Sequence, residues 1–185
     1  MAATPADLVA QACADLGEDV VVDRCVDLLT GRTSDHPFSL DLIAGPGSQR
    51  LADRYATQPG KPDHWPRAWA ARALRYAWRE EVGVRRAVVG GLSDPAWRVR
   101  ETCAAVVRLR EVAEAAEPLR ALLADETPRV RVAAAQALAV VGEHDDLEVL
   151  ATLHDEDARV ARAVGQARSR LAERLDLPDP GHHRR

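Results

Sequence analysis

Two groups of residues have types and spacing that suit binding chemistry. The segment from Asp63 to Arg79 holds Trp65, Trp69 and Tyr76 among Arg72, Arg75 and Arg79. At about 100° per residue, a helix here puts Trp65, Trp69, Arg72 and Tyr76 on one strip, with Arg75 and Arg79 beside it. Ala70, Ala73, Leu74 and Ala77 form the buried side. An aromatic strip edged with guanidinium groups suits stacking on a base or clamping an acidic peptide. The same residues also suit a structural junction, in which the rings pack under N-terminal helices with arginine side chains laid over them. The second group is a recurring Asp and Arg pattern that carries Arg98, Arg100, Arg129 and Arg131. Its structural reading is that Asp94 and Asp125 cap the following helix or meet the Arg100 and Arg131 type of side chain in a neighbouring unit.

The recurrence defines the elements that position these residues. Leu92, Asp94, Arg98 and Val99 reappear as Leu123, Asp125, Arg129 and Val130, and again as Leu153, Asp155, Arg159 and Val160, with steps of 31 and then 30 residues. A weaker unit starts at Asp63, with Arg67 in the arginine column. Within the middle unit, Val130, Ala134, Ala137, Leu138 and Val141 form one apolar stripe at helical spacing. Thr127 and Pro128 supply a start signal and Gly142 a stop. Pro118, Leu119, Leu122 and Leu123 belong to a preceding helix. Two amphipathic helices cannot cover their apolar faces alone, so the units must stack.

The pattern Leu-x-Asp-x-x-x-Arg-Val-Arg, followed by an Ala-rich helix ending Gln136-Ala-Leu-Ala-Val-Val-Gly142, resembles the short HEAT-like repeat of phycobilin lyase type, in a protein of bacterial type. The resemblance covers residues 63 to about 172. It implies an all-α fold, an α-solenoid of stacked HEAT-like helix pairs. Ala161 and Arg168 depart from the pattern and suit a terminal repeat that meets water. Ahead of the repeats, helices are expected from Thr4 to Gly17, through Val21 to Gly31, around Phe38 to Ala44, and from Ser48 to Ala56, forming a helical N-terminal cap. The expected organisation is one continuous domain, with a non-repeating cap over 1–60, repeats over 61–177 and a flexible tail over 178–185.

The chain has 185 residues, 46% hydrophobic and 29% charged, the profile of a globular domain. With only 4% aromatic residues, the core must be built from Leu, Val and Ala, which favours close-packed helices. The net charge of −4 divides into −5 over 1–60, +5 over 61–112 and −4 over 113–185. The longest apolar stretch, Ala133 to Val141, is too short for the ~20 residues of a membrane span. Cys13, Cys25 and Cys103 form no CxxC pair, which suits a reduced cytoplasmic protein. His182 and His183 have no companion ligands, and no phosphate loop, dinucleotide fingerprint, HExxH or nucleophile elbow occurs. No catalytic residue, metal site or cofactor is therefore assigned.

These readings converge on a non-enzymatic helical-repeat scaffold that binds an unidentified protein partner through its concave surface. The expected binding residues are Trp65, Trp69, Arg72, Arg75, Tyr76, Arg79, Arg98, Arg100, Arg129 and Arg131. The alternative is nucleic-acid binding, in the manner of the HEAT-like DNA glycosylases, through the Arg and Trp segment 65–100. A tetrapyrrole lyase is a third reading that rests on the repeat's family name alone.

Overall fold

The computed structural model describes residues 3–32, 38–58, 60 and 63–180, so His182 and His183 lie outside the described residues. All regular structure among the described residues is helical. The chain divides into two compact units, Met1–Gly91 and Leu92–Arg185.

The first unit contains α1 (Pro5–Leu16), α2 (Glu18–Thr30), α3 (Asp41–Ala44), α4 (Ser48–Ala56), α5 (Trp65–Ala73) and α6 (Val82–Gly91). α1 starts on a capping box in which Asp7 N–H donates to the Thr4 hydroxyl at 3.2 Å and Thr4 N–H donates to the Asp7 carboxylate at 2.9 Å. α2 is the hub, packed against α1, α5 and α6. Its inner face of Val21, Val22 and Cys25 is buried with Val9, Ile43, Leu74 and Val88. The helix ends at Gly31, whose φ of 69° is the left-handed conformation that glycine adopts without a Cβ penalty.

The helix expected to continue from Trp65 to Arg79 stops at Ala73. Turns follow, with Tyr76 N–H bonded to Ala73 O at 2.8 Å and Ala77 N–H to the same carbonyl at 3.0 Å. The expected buried side survives, because Ala70, Ala73, Leu74 and Ala77 are all covered. Tyr76 lies in these turns, beyond the end of the helix expected to carry it.

The second unit contains α7 (Trp97–Arg110), a 3-10 turn at Ala113–Ala115, α8 (Ala116–Leu122), α9 (Pro128–Val141), α10 (His144–Thr152) and α11 (Ala158–Arg174). α9 lies between α7 and α11, α8 packs on α9, and α10 packs on α11. This is the stacked-pair arrangement of a helical solenoid, with α9 and α11 as the second helices of their pairs and α7 in one row with them. Val99, Cys103, Val130, Leu138, Val160 and Leu171 are completely covered. Alanines at 104, 134, 135 and 137 share that core and let the helices approach closely.

α9 starts at Pro128 behind Thr127, as the sequence predicts, and of the two expected capping groups it is the aspartate that acts. The Thr127 hydroxyl makes no capping bond. Asp125 does this work two residues earlier, accepting from Thr127 N–H at 2.8 Å, as Asp94 does from Ala96 N–H at 2.8 Å and Asp155 from Asp157 N–H at 2.9 Å. At the end of α11, Asp179 accepts from Arg168 and from Ser169, each at 2.7 Å, so this part of the segment expected to be loose folds back on the helix.

Candidate interaction surface

In the first unit, Trp65 and Trp69 share a face as expected, with ring centroids 5.7 Å apart and a 26° interplanar angle. Both are half-buried. The arginines around them are occupied by the fold. Arg72 turns inward and donates to Ile43 O at 3.2 Å, joining α5 to α3, and burial lowers its pKa. Arg79 holds Asp23 at 2.7 Å, Asp19 at 3.3 Å and Glu81 at 2.7 Å, strapping the turn after α5 onto α2. Arg75 lies 5.9 Å from the centroid of Tyr76, which is exposed. The segment is thus a stacked pair of tryptophans with its guanidinium groups directed into neighbouring backbone, carboxylates and ring.

In the second unit, the recurring residues separate into two roles. Arg100 makes a two-pronged pair with Asp125 at 2.7 and 3.1 Å and donates to the Asp94 and Pro95 carbonyls at 2.9 and 3.0 Å. One repeat later, Arg131 pairs with Asp155 at 2.6 and 3.0 Å and donates to Asp125 O at 2.8 Å. Each arginine therefore ties its own repeat's turn to the aspartate of the next. The Arg100 and Asp125 side chains are only 12% and 5% exposed, which removes them from any surface a partner could reach. Burial pushes the Asp125 carboxyl up, but the Arg100 guanidinium and the Thr127 amide outweigh it and hold the group below the usual carboxylate range. Asp155 is held low chiefly by Arg131.

The preceding column points outward. The Arg98 guanidinium lies 4.3 Å from the Trp97 ring centroid, and Arg129 from the next helix reaches the same ring at 5.4 Å. Arg129 also bonds Glu101 at 2.8 Å, and Arg108 bonds Gln136 at 3.1 Å, so α7 and α9 are linked along this face. Along the row of α7, α9 and α11, Glu101, Pro128, Arg129, Val132 and Arg159 line a cleft of about 200 Å³. Among the described residues of this unit, every arginine except Arg120 lies on α7, α9 or α11, and every acid except Glu101 and Glu173 lies elsewhere. Arg129 and Arg159 remain 65% and 74% exposed despite their acidic neighbours, Glu101 and Asp157. Arg162, one turn further along α11, is exposed as well.

The sequence placed Arg159 in the column of Arg98 and Arg129 but did not count it among the binding residues, and it did not single out Trp97 as the platform shared by Arg98 and Arg129. The signal was the repeat register itself, since Arg159 stands where Arg98 and Arg129 stand. The fully buried Asp146, paired with Arg120 and accepting from Glu143 N–H at 2.7 Å, carries no recurring motif.

Burial pushes the Cys25 thiol up to about 12 and raises Cys103 further, whereas Cys13 is only half-buried and is raised by burial and by Glu18. Among the described residues no group of three or more His, Cys, Asp or Glu side chains could hold a metal ion, and no helix is long and apolar enough to cross a membrane.

Residues 86–169 match the family model of HEAT repeats, which supports a HEAT-like repeat protein and agrees with the helix pairs of the second unit. No curated protein and no solved structure matches the chain.

Proposed function

We propose that this chain is a non-enzymatic helical-repeat scaffold that binds another protein on the outward face of α7, α9 and α11, the side that the repeat pattern expects to be concave. One observation carries the reading. On that face an apolar cleft walled by Pro128 and Val132 is rimmed by exposed Arg129 and Arg159, so contact area and charge occur together. Interfaces draw their energy from such apolar anchors, and arginine is enriched around them. The Trp65 and Trp69 pair is a secondary candidate because both rings keep part of their surface in solvent.

The alternative of nucleic-acid binding draws on the same arginines. Against it stand Glu101 within the cleft wall and the acids of the turns, such as Glu126 and Glu156, which repel phosphate. The test is a photo-cross-linking residue at Val132 on the second-helix face and, in a separate variant, at Glu117 on α8. Partner adducts from native extract that form at Val132, fail at Glu117 and disappear with Arg129→Glu support the reading. Equal adducts at both positions, or adducts at neither, refute it.

A further inference from the structure

The separation of charge in the second unit has a direction and a period. One column of successive repeats carries half-buried Arg98 on α7 and exposed Arg129 on α9 and Arg159 on α11, with exposed Arg162 one turn beyond. Packed helices lie about 8–10 Å apart, so the backbone positions that carry this column recur across the face at roughly that interval. A peptide in the polyproline conformation has three residues per turn and rises about 3.1 Å per residue, so every third side chain returns to one face about 9 Å further on. We infer that the partner presents to this face an extended acidic segment with a carboxylate at about every third residue, lying across α7, α9 and α11.

The inference rests on the second-helix face being the binding surface and adds the chemistry of what lies there. Arg129 meets Glu101 through Nε, which leaves its Nη groups for an incoming carboxylate. Arg159 is held by Asp157 through Nε and Nη2, and exposed Arg162, which has no carboxylate partner among the described residues, supplies the second cation on α11. Exposed pairs such as these are weak and yield to a competing carboxylate that is better placed. Between the cationic rungs, the cleft at Pro128 and Val132 takes an apolar side chain from the residues separating the acids. A nucleic-acid strand is disfavoured by Glu101, whose carboxylate stands in the wall of the cleft between the arginines and repels phosphate.

The experiment uses the full chain and three fluorescent probes. One is a peptide of about ten residues with Glu at every third position between Pro and Ala, a spacing that a polyproline helix displays on one face. The second has the same composition with its glutamates clustered, and the third is a single-stranded oligonucleotide of similar length. Fluorescence anisotropy is expected to show the spaced peptide binding about tenfold more tightly than the clustered one, with affinity falling as salt rises. Arg129→Glu combined with Arg162→Glu should abolish that binding while the helical circular dichroism spectrum shows the chain still folded. Arg129→Gln with Arg162→Gln, which adds no like-charge repulsion, should weaken it and serves if the glutamate variant misfolds. Equal affinity for both peptides, or tighter binding of the oligonucleotide, overturns the inference. If neither peptide binds while the Val132 cross-link still depends on Arg129, the acidic-segment inference fails and the binding face stands. If neither peptide binds and the cross-link is absent too, both fail.

Discussion

Removing the Asp125 carboxylate should show how much the inter-repeat tie contributes. In Asp125→Ala, Arg100 loses two charged hydrogen bonds, at 2.7 and 3.1 Å, and Thr127 N–H loses its acceptor at 2.8 Å. The guanidinium keeps its bonds to the Asp94 and Pro95 carbonyls, so the stranded charge is only partly compensated. A broken buried pair costs about 3–5 kcal/mol when isolated. With those two carbonyls retained, about 2–4 kcal/mol is expected here. Arg100→Met alone should cost a similar amount, and the double variant clearly less than the sum, with a coupling energy of about 1.5–3 kcal/mol. Urea unfolding followed by circular dichroism measures all three. Strict additivity, or a loss below about 0.5 kcal/mol for Asp125→Ala, would refute the claim that the pair joins the repeats. The pair also sets a pH dependence. Because Asp125 is held below its ordinary value, the unfolded chain protonates first as pH falls. The stabilisation is complete above the ordinary carboxylate pKa of about 4 and is lost as pH falls through the lower native value, a decline that should flatten in Asp125→Asn.

Further tests address separate features of the fold. Gly142→Ala should destabilise by about 1–3 kcal/mol, judged by unfolding midpoint, because an added Cβ would stand 2.5 Å from Leu138 O and 3.1 Å from the Asp146 Cβ. Glu111 ends α7 at φ 54°, so Glu111→Gly should be stabilising by up to about 1 kcal/mol, and a loss of stability would count against this helix end. A thiol reagent in native buffer should modify half-buried Cys13 first and leave Cys25 and Cys103 until unfolding, with mass spectrometry of the labelled peptides reading the order.

Spacing along the chain was enough to read the repeat register and most of the helices, although not the early end of α5 at Ala73. Periodicity in Val130, Ala134, Ala137, Leu138 and Val141 reports directly which side of a helix leaves water, and these residues are covered as expected. Local punctuation at Thr4, Pro5, Gly17, Gly31 and Gly142 reports where the helices begin and end, because caps act within a few residues. Tertiary structure decided which guanidinium groups face solvent. Arg98 and Arg100 are two residues apart and identical in composition. Yet one lies against Trp97 while the other reaches Asp125, 25 positions away. Likewise Arg72 and Arg79, read as edges of a binding strip, are drawn in by Ile43 O and by Asp19 and Asp23, partners supplied by α2 and α3. A helical period fixes the direction in which a side chain leaves its own helix. A long charged side chain ends several ångströms further on, wherever another part of the fold provides an acceptor.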